Sequence, residues 1–238
     1  MKRRRLLKVL AGALIAAAFT ACGGSGGGSG GGSGGRNSYK IKMTTEAGGD
    51  FSFRLGGSGV ATVDWGDGSE QVSLTLQETE NFYYSGVRFN HTYPSATIRT
   101  ITVNGDNITG LRCDEYNITS LDVRGATALT DLYVSSENLT SLDVSKNTAL
   151  TILGVWGNLT SLDVSKNTAL TRLLVSSQLS ASALNTLFGT LHSNIIEHTY
   201  WQDNPTTEKS IDIGGSNPGR NDCDRSIAER KGWTVRDY

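Results

Sequence analysis

The chain has 238 residues, with 22 Lys and Arg against 23 Asp and Glu and a formal net charge of −1. Five of the basic residues lie within the first eight positions, which leaves 17 basic against 23 acidic residues in the remainder. We expect no nucleic-acid binding from such a chain, because nucleic-acid phosphates attract clustered Lys and Arg. The length suits one large domain or two small ones.

The first 22 residues have the pattern of an export signal. A basic start is followed by an apolar run at residues 9–19, which is shorter than the ~20 apolar residues that span a bilayer. Phe19-Thr20-Ala21-Cys22 resembles a lipobox, which implies a signal peptide over residues 1–21 and acylation of Cys22. The alternative is an ordinary signal peptide with an accidental cysteine. Gly23, in place of an aspartate, favours the outer membrane over the inner membrane.

A segment of only Gly and Ser follows at residues 23–35. Such a segment is a flexible tether with a root-mean-square reach of about 20 Å. We therefore assign residues 22–36 to a lipidated cysteine and its tether, although an engineered linker would have the same composition.

Residues 37–105 have the features of a small antiparallel β-sandwich. Short β-rich runs at residues 39–43, 51–55, 60–63 and 97–103 are separated by Gly-rich and Tyr-Pro turns. Within them, Trp65-Gly66-Asp67-Gly68 and His91-Thr92-Tyr93-Pro94 resemble the turn and the strand entry of PKD-like domains. The resemblance implies a spacer or an adhesive unit.

The acidic residues of the first motif have two interpretations. Asp67-Gly68 suits a tight turn with Trp65 buried beside it. Alternatively, Asp64 and Asp67 contribute to a calcium site, although calcium prefers about six to eight oxygen ligands. We favour the turn, and we interpret His91 as a packed histidine rather than a ligand or a base.

An internal repeat begins with three copies of a Leu/Ile-Thr-Ser-Leu-Asp-Val motif. The copies start at Ile118, Leu139 and Leu159, with spacings of 21 and 20 residues, and a partial copy starts at Ile108. Each full copy continues into Ala-Leu-Thr-x-Leu-x-Val. The pattern resembles the short leucine-rich repeats of Bacteroides-type surface lipoproteins, which implies a solenoid over residues 106–178.

The repeat spacing predicts the interior of this solenoid. The Leu and Val positions point inward, because a single repeat cannot bury its apolar face alone. We expect Asn147 and Asn167 to turn inward and to satisfy backbone groups between coils. A period of 20–21 residues leaves no room for a convex helix, so we expect strands on one face and extended or 3₁₀ segments on the other.

The variable positions of the repeats are the candidate binding residues. They are predicted to lie exposed on the concave strand face, and their Tyr, Trp and Arg content is typical of binding surfaces. Neutral variation on a solvated sheet is the alternative, and Trp156 could instead fill a local bulge. These positions are Arg112, Asp131, Tyr133, Ile152, Gly154, Trp156, Arg172 and Leu174.

Residues 179–238 are predicted to form an α/β cap like that of the same lipoproteins. Helical spacing at residues 180–191, a strand at 210–213, a helix at 221–231 and a last strand around Trp233 would cover the open end of the solenoid. Cys113 aligns with the inward Val of the repeats, so we predict that Cys113 and Cys223 are two buried free thiols.

We thus expect a mainly β protein with minor α: a PKD-like sandwich, a short repeat solenoid and a cap. We expect a lipoprotein of the outer membrane, facing the surface or the periplasm, that binds a protein or a glycan. A structural envelope scaffold is the alternative.

We expect no enzyme, cofactor or metal. A hydrolase would need two carboxylates about 5–10 Å apart in a cleft. Asp122, Asp143 and Asp163 are interpreted as convex-face repeat residues, and His192 and His198 lie near no nucleophile motif.

Overall fold

The computed structural model describes residues 39–79, 82–114, 117–195 and 208–237. They belong to one unit of the chain, Asn37–Tyr238. The predicted signal peptide, Cys22, the Gly/Ser tether and His198 lie outside the described residues.

Strands dominate the described residues. In chain order the elements are β1 (Ile41–Thr45), β2 (Gly49–Asp64), β3 (Val72–Thr75), α1 (Phe82–Ser85), β4 (Val87–Tyr93), β5 (Arg99–Cys113), β6 (Ile118–Asp122), β7 (Asp131–Ser136), β8 (Ile152–Gly157), β9 (Arg172–Ser176), α2 (Ala181–Thr190), β10 (Lys209–Ile213), α3 (Ser226–Glu229) and β11 (Trp233–Asp237).

Two long strands, β2 and β5, organise the first half of this unit. The beginning of β2 pairs with β4 and its end pairs with β3, while β5 pairs with β2 and β1. The β2–β5 register shifts beside Gly57, where φ is 136° and an added Cβ would lie 1.9 Å from the carbonyl oxygen of Asn107. Only glycine tolerates this bend without a steric clash.

Hydrogen bonding joins the described strands into one mixed, open sheet. The end of β5 pairs in parallel with β7. The predicted domain boundary after residue 105 therefore lies within β5. The fold is mainly β, as expected. A PKD-like sandwich is not confirmed and stays a prediction.

Residues 64–69, which contain the Trp-Gly-Asp-Gly motif, form a turn that two carboxylates stabilise. The Asp64 carboxylate accepts from the Gly66 amide at 2.9 Å, and the Asp67 carboxylate accepts from the Ser69 amide at 3.0 Å and from the Ser69 hydroxyl at 2.6 Å. The Ser69 hydroxyl and amide, followed by His91, hold the pKa of Asp67 well below its usual range. His91 stacks on the buried Trp65 ring, with 4.9 Å between ring centres. These contacts favour the interpretation as a structural turn.

The repeats stack as parallel strands in the predicted register. Leu132, Leu153 and Leu173 align across β7, β8 and β9 and are fully buried. Cys113 pairs with Val134 and is fully buried, as the repeat alignment predicted. Turns and extended segments connect these strands, and no helix lies among residues 117–180. This bears out the expectation drawn from the short period.

Buried asparagines connect successive coils. The Asn147 side-chain amide donates to the carbonyls of Val123 (2.9 Å) and Ala126 (2.8 Å), and that of Asn167 donates to the carbonyls of Val144 (3.0 Å) and Asn147 (2.8 Å). The inward orientation of both asparagines is thereby confirmed.

The cap continues the repeat stack. Asn217 occupies the next position of the asparagine series and donates to the Val175 carbonyl at 2.8 Å, while β10 and β11 extend the parallel sheet. The first predicted helix is observed as α2, whose N-cap residue Ser180 accepts from the Ala183 amide at 3.2 Å.

Two predictions about the cap are wrong. The second helix is confined to Ser226–Glu229, because the Asp224 carboxylate accepts from the Ser226 amide and hydroxyl and so forms a local turn before it. Neither Cys113 nor Cys223 forms a disulfide, as predicted, but Cys223 is only half-buried, with its Sγ 3.3 Å from the Arg220 carbonyl oxygen.

Candidate functional site

Three neighbouring parallel strands form the floor of a groove of about 560 Å³. Its lining includes six of the eight variable positions predicted as candidate binding residues, and the strand register brings them together. They are Asp131, Tyr133, Ile152, Trp156, Arg172 and Leu174. The repeat pattern therefore located the groove floor.

A wall of the groove comes from α1, which sequence reasoning missed. Phe82, Tyr83 and Tyr84 line the groove above Tyr133. The Tyr83 ring centre lies 4.9 Å from that of Tyr133 and 4.8 Å from that of Tyr84. Tyr84 is 74% exposed, whereas Phe82 is only 7% exposed. The buried Phe82 ring thus anchors α1, which we call the aromatic turn, and the Tyr83 and Tyr84 rings are left to line the groove.

The anchor is a socket of three glycines. A Cβ added at Gly56, Gly86 or Gly110 would lie 2.6, 2.5 or 2.7 Å from atoms of the Phe82 ring. Contacts this short are impossible for real side chains, so glycine at all three positions creates the space for the ring. A sequence signal existed: Gly-x-Arg begins at Gly86 and Gly110, and Arg54-x-Gly56 has the reverse order in the antiparallel strand.

Two of the predicted exposed positions are buried. Tyr133 is only 7% exposed, because Phe82 and Tyr83 cover its ring, and burial raises the pKa of its hydroxyl to about 12. Gly154 is buried because the Trp156 ring lies over it: an added Cβ would be 2.7 Å from that ring. The expectation that both positions are exposed on the strand face is wrong.

Trp156 is half-buried and lines the groove. It pairs in register with Ser135 on β7 and Ser176 on β9, without a register shift. The alternative that it fills a local bulge is therefore not observed.

Two charged side chains line the groove. The Asp131 carboxylate accepts from the Thr130 hydroxyl at 2.8 Å, and burial raises the pKa of Asp131 above its ordinary value. Arg172 pairs with the buried Asp212, with 3.3 Å between Nη2 and Oδ2, and about half of the Arg172 side chain stays exposed. The groove thus offers one partly desolvated hydrogen-bond acceptor and one donor between its aromatic rings.

Arg112 lies outside this groove, in a neighbouring recess of about 350 Å³. Its guanidinium carbon lies 3.9 Å from the Tyr83 ring centre, and its Nε lies 2.6 Å from the Asp114 carboxylate. Arg112 therefore supports the aromatic turn by stacking on the Tyr83 ring. Tyr84 lines both cavities.

The repeat aspartates do not line the groove; each lies shortly before a turn between strands. The carboxylates of Asp143 and Asp163 accept from the backbone amides of Ser145 and Ser165, and Asp122 pairs with Arg124 at 2.9 Å. In the described part of the chain, no three His, Cys, Asp or Glu side chains are grouped so that they could hold a metal ion. None of the helices in these residues has the length and apolar character needed to cross a bilayer.

Comparisons with known proteins give little further information. No family model matches the chain. No curated protein matches it either. Among solved structures, the chain is similar to the functional domain of InlJ from Listeria monocytogenes, which includes a cysteine ladder, with 31% identity and a TM-score of 0.38. That match covers 53% of this chain and spans only 24% of the other.

Proposed function

We propose that the protein is an outer-membrane lipoprotein, anchored through Cys22, that binds a glycan in the aromatic groove and catalyses no reaction on it. The observation that carries this proposal is the groove itself, in which aromatic rings from α1 and β8 flank one carboxylate and one guanidinium.

The chemistry of the lining suits a sugar chain. Aromatic faces bury apolar surface in a defined geometry, and the apolar C–H face of a sugar ring packs against them. The Asp131 carboxylate has acceptor capacity beyond its bond with Thr130, and Arg172 keeps guanidinium donors beyond its pairing with Asp212. Sugar hydroxyls both donate and accept, so they complement this pair.

The size of the groove favours a glycan over a protein partner. Its volume lies within the roughly 300–1,000 Å³ that is typical of small-ligand sites. A stable protein interface buries about 800 Å² on each partner and needs a broader face. A few sugar units would occupy the space between Tyr84 and Trp156.

Two observations weigh against the other functions considered. Asp131 is the one carboxylate among the described residues that line the groove, whereas glycoside hydrolysis uses a pair of them. A purely structural face gains nothing from the 74% exposed Tyr84 ring beside a concave surface, because exposed aromatic area normally marks interaction sites.

The Gly/Ser tether would hold this surface away from the membrane.

A binding screen tests the proposal. The protein is applied to a glycan array and to a panel of extracellular matrix proteins, beside a Tyr84→Ala/Trp156→Ala variant. A Tyr39→Ala/Ile98→Ala variant is the control, because it removes two large side chains, one aromatic and one aliphatic, that lie outside the groove lining. We expect glycan binding that only the groove variant loses, while a cooperative thermal melt shows that this variant is still folded.

The other outcomes contradict the proposal in different ways. Groove-dependent binding to matrix proteins alone would replace the glycan with a protein ligand. Absence of binding to both panels would favour the structural scaffold.

A further inference from the structure

Beside the groove, three arginines form a row across three adjacent strands. Arg54 on β2 pairs directly with Arg88 on β4 and with Arg112 on β5. Paired residues point to the same face of a sheet, and neighbouring strands lie ~4.8 Å apart. All three side chains line the recess of about 350 Å³ that adjoins the groove.

This row carries an excess of positive charge. Like charges directly opposite each other on neighbouring strands destabilise a sheet. Among the described residues, Asp114 is the one carboxylate that pairs with a member of the row, and it pairs with Arg112. Four other arginines in the described chain each pair with a carboxylate: Arg124 with Asp122, Arg172 with Asp212, Arg225 with Asp237 and Arg236 with Glu208.

Neutral contacts hold the guanidinium groups of Arg54 and Arg88, and Arg112 has such contacts in addition to its ion pair with Asp114. Arg54 donates to the Gly86 carbonyl at 2.9 Å, Arg88 donates to the Ser52 hydroxyl at 2.8 Å, and Arg112 stacks on Tyr83. A guanidinium has five N–H donors, so each keeps donors for a ligand. Its planar fork matches the oxygens of a carboxylate or a sulfate, and fixing it beforehand lowers the entropy cost of binding.

A structural role, that of holding α1 in place, explains the presence of only two of the three arginines. Arg54 contacts the residue after α1, and Arg112 donates to the Tyr83 carbonyl. The hydrogen bond of Arg88 goes instead to Ser52 on the neighbouring strand β2. Arg88 is exposed, and its charge adds repulsion that α1 does not require.

We propose that this recess binds the sulfate or carboxylate groups of an acidic polysaccharide whose sugar rings occupy the adjacent groove. The inference rests on the proposed function, because Tyr84 lines both cavities and would join a sugar ring on one side to its acidic substituent on the other. The Asp131 carboxylate repels anions within the groove, so the acidic group belongs at the arginine end.

The test measures affinities for acidic polysaccharides beside their neutral counterparts. Dextran sulfate is compared with dextran, and polygalacturonate and alginate are compared with their carboxyl-reduced forms. Poly-glutamate represents an acidic peptide. The variants are Arg88→Met for the recess and Trp156→Ala for the groove.

Arg230→Met is the matched control, because Arg230 also donates to a serine hydroxyl, that of Ser226, at 2.6 Å in the cap. It removes the same charge from the protein without touching the recess, so it corrects for diffuse electrostatic attraction.

We expect at least one acidic polysaccharide to bind, and its neutral counterpart to bind at least about tenfold more weakly, as a lost charge-assisted hydrogen bond requires. Arg88→Met should weaken binding by a similar factor, and Arg230→Met should not. Trp156→Ala should also weaken it. Added salt should reduce the affinity, because mobile ions screen charge interactions.

Each other result overturns a distinct part of the account. Equal binding of neutral and acidic chains that depends on Trp156 would overturn the arginine recess and keep the groove. Binding that depends on Arg88 but not on Trp156 would keep the recess and contradict the proposed groove function.

Three results overturn the recess as a polysaccharide site. Equal losses in Arg88→Met and Arg230→Met would show diffuse attraction. Tighter, Arg88-dependent binding of poly-glutamate would assign the recess to an acidic peptide. Absence of binding to every acidic chain would overturn the inference outright.

Discussion

Replacing Phe82 with alanine removes the ring that fills the socket formed by Gly56, Gly86 and Gly110. Substitutions of buried Phe by Ala cost about 3–5 kcal/mol, with the larger values where the cavity cannot collapse. Glycines have no side chains that could refill the space, but the 7% exposure of Phe82 lets water enter at the rim. We therefore expect the lower end, about 3 kcal/mol.

Thermal unfolding checks this magnitude. For a unit of this length, Asn37–Tyr238, 1 kcal/mol corresponds to about 2–4 °C, so Tm should fall by about 6–12 °C. Tyr84→Ala is the control: this ring is 74% exposed, and its removal should change stability by less than about 0.5 kcal/mol. Hydrogen exchange across residues 82–86 should accelerate in Phe82→Ala, because α1 loses its anchor.

A double-mutant cycle isolates the contact itself. Gly110→Ala should destabilise the wild type, because the new Cβ would lie 2.7 Å from the Phe82 ring. In the Phe82→Ala background the same methyl group meets empty space and should cost little, which gives a coupling energy above about 0.5 kcal/mol. The reasoning is refuted if Phe82→Ala leaves Tm within about 2 °C of wild type, or if Gly110→Ala costs the same in both backgrounds.

Three further predictions concern the repeats and the cap. Asn147→Ala should lower the free energy of unfolding by about 2 kcal/mol in urea titrations, because two buried carbonyls lose their donor. Asn158 is exposed, so Asn158→Ala should change the free energy of unfolding little. Equal effects of the two substitutions would contradict the role assigned to the buried asparagines. Burial lowers the pKa of His192 below its ordinary 6.5, so just below pH 6.5 the unfolded chain binds more protons than the folded protein. The free energy of unfolding should therefore fall as pH decreases through this range. A His192→Asn variant whose free energy of unfolding has the same dependence on pH would contradict this. Iodoacetamide should leave the buried Cys113 unmodified and should react only slowly with Cys223, because burial raises the pKa of the Cys223 thiol. Mass spectrometry maps the alkylated residues. Rapid alkylation of Cys113 would contradict its buried position.

The repeat stack was predictable because each coil repeats the same packing problem. Regular spacing of Leu and Val set the register of β7, β8 and β9, and the constant asparagines pointed to inward hydrogen bonds. The groove floor followed from the same register, since variable positions of one motif fall on one face.

The aromatic wall was not predictable in the same way. Phe82 meets Gly86 nearby but also Gly56 and Gly110, which are distant in the sequence, and the short Gly-x-Arg signal does not indicate which ring fills the space between them. The burial of Tyr133 follows from that same contact and was missed with it. The arginine row also depends on the pairing of β2 with both β4 and β5, which composition and spacing do not specify.

Fluorine NMR of protein labelled with 5-fluorotryptophan tests the central claim most directly. The chain has four tryptophans, of which Trp65 and Trp233 are buried and Trp156 lines the groove. Each resonance is assigned with a Trp→Phe variant, and the protein is titrated with the glycan that binds most tightly on the array. The account predicts a saturable shift of the Trp156 resonance while those of Trp65 and Trp233 stay in place. Saturating binding that leaves the Trp156 resonance unchanged would contradict it.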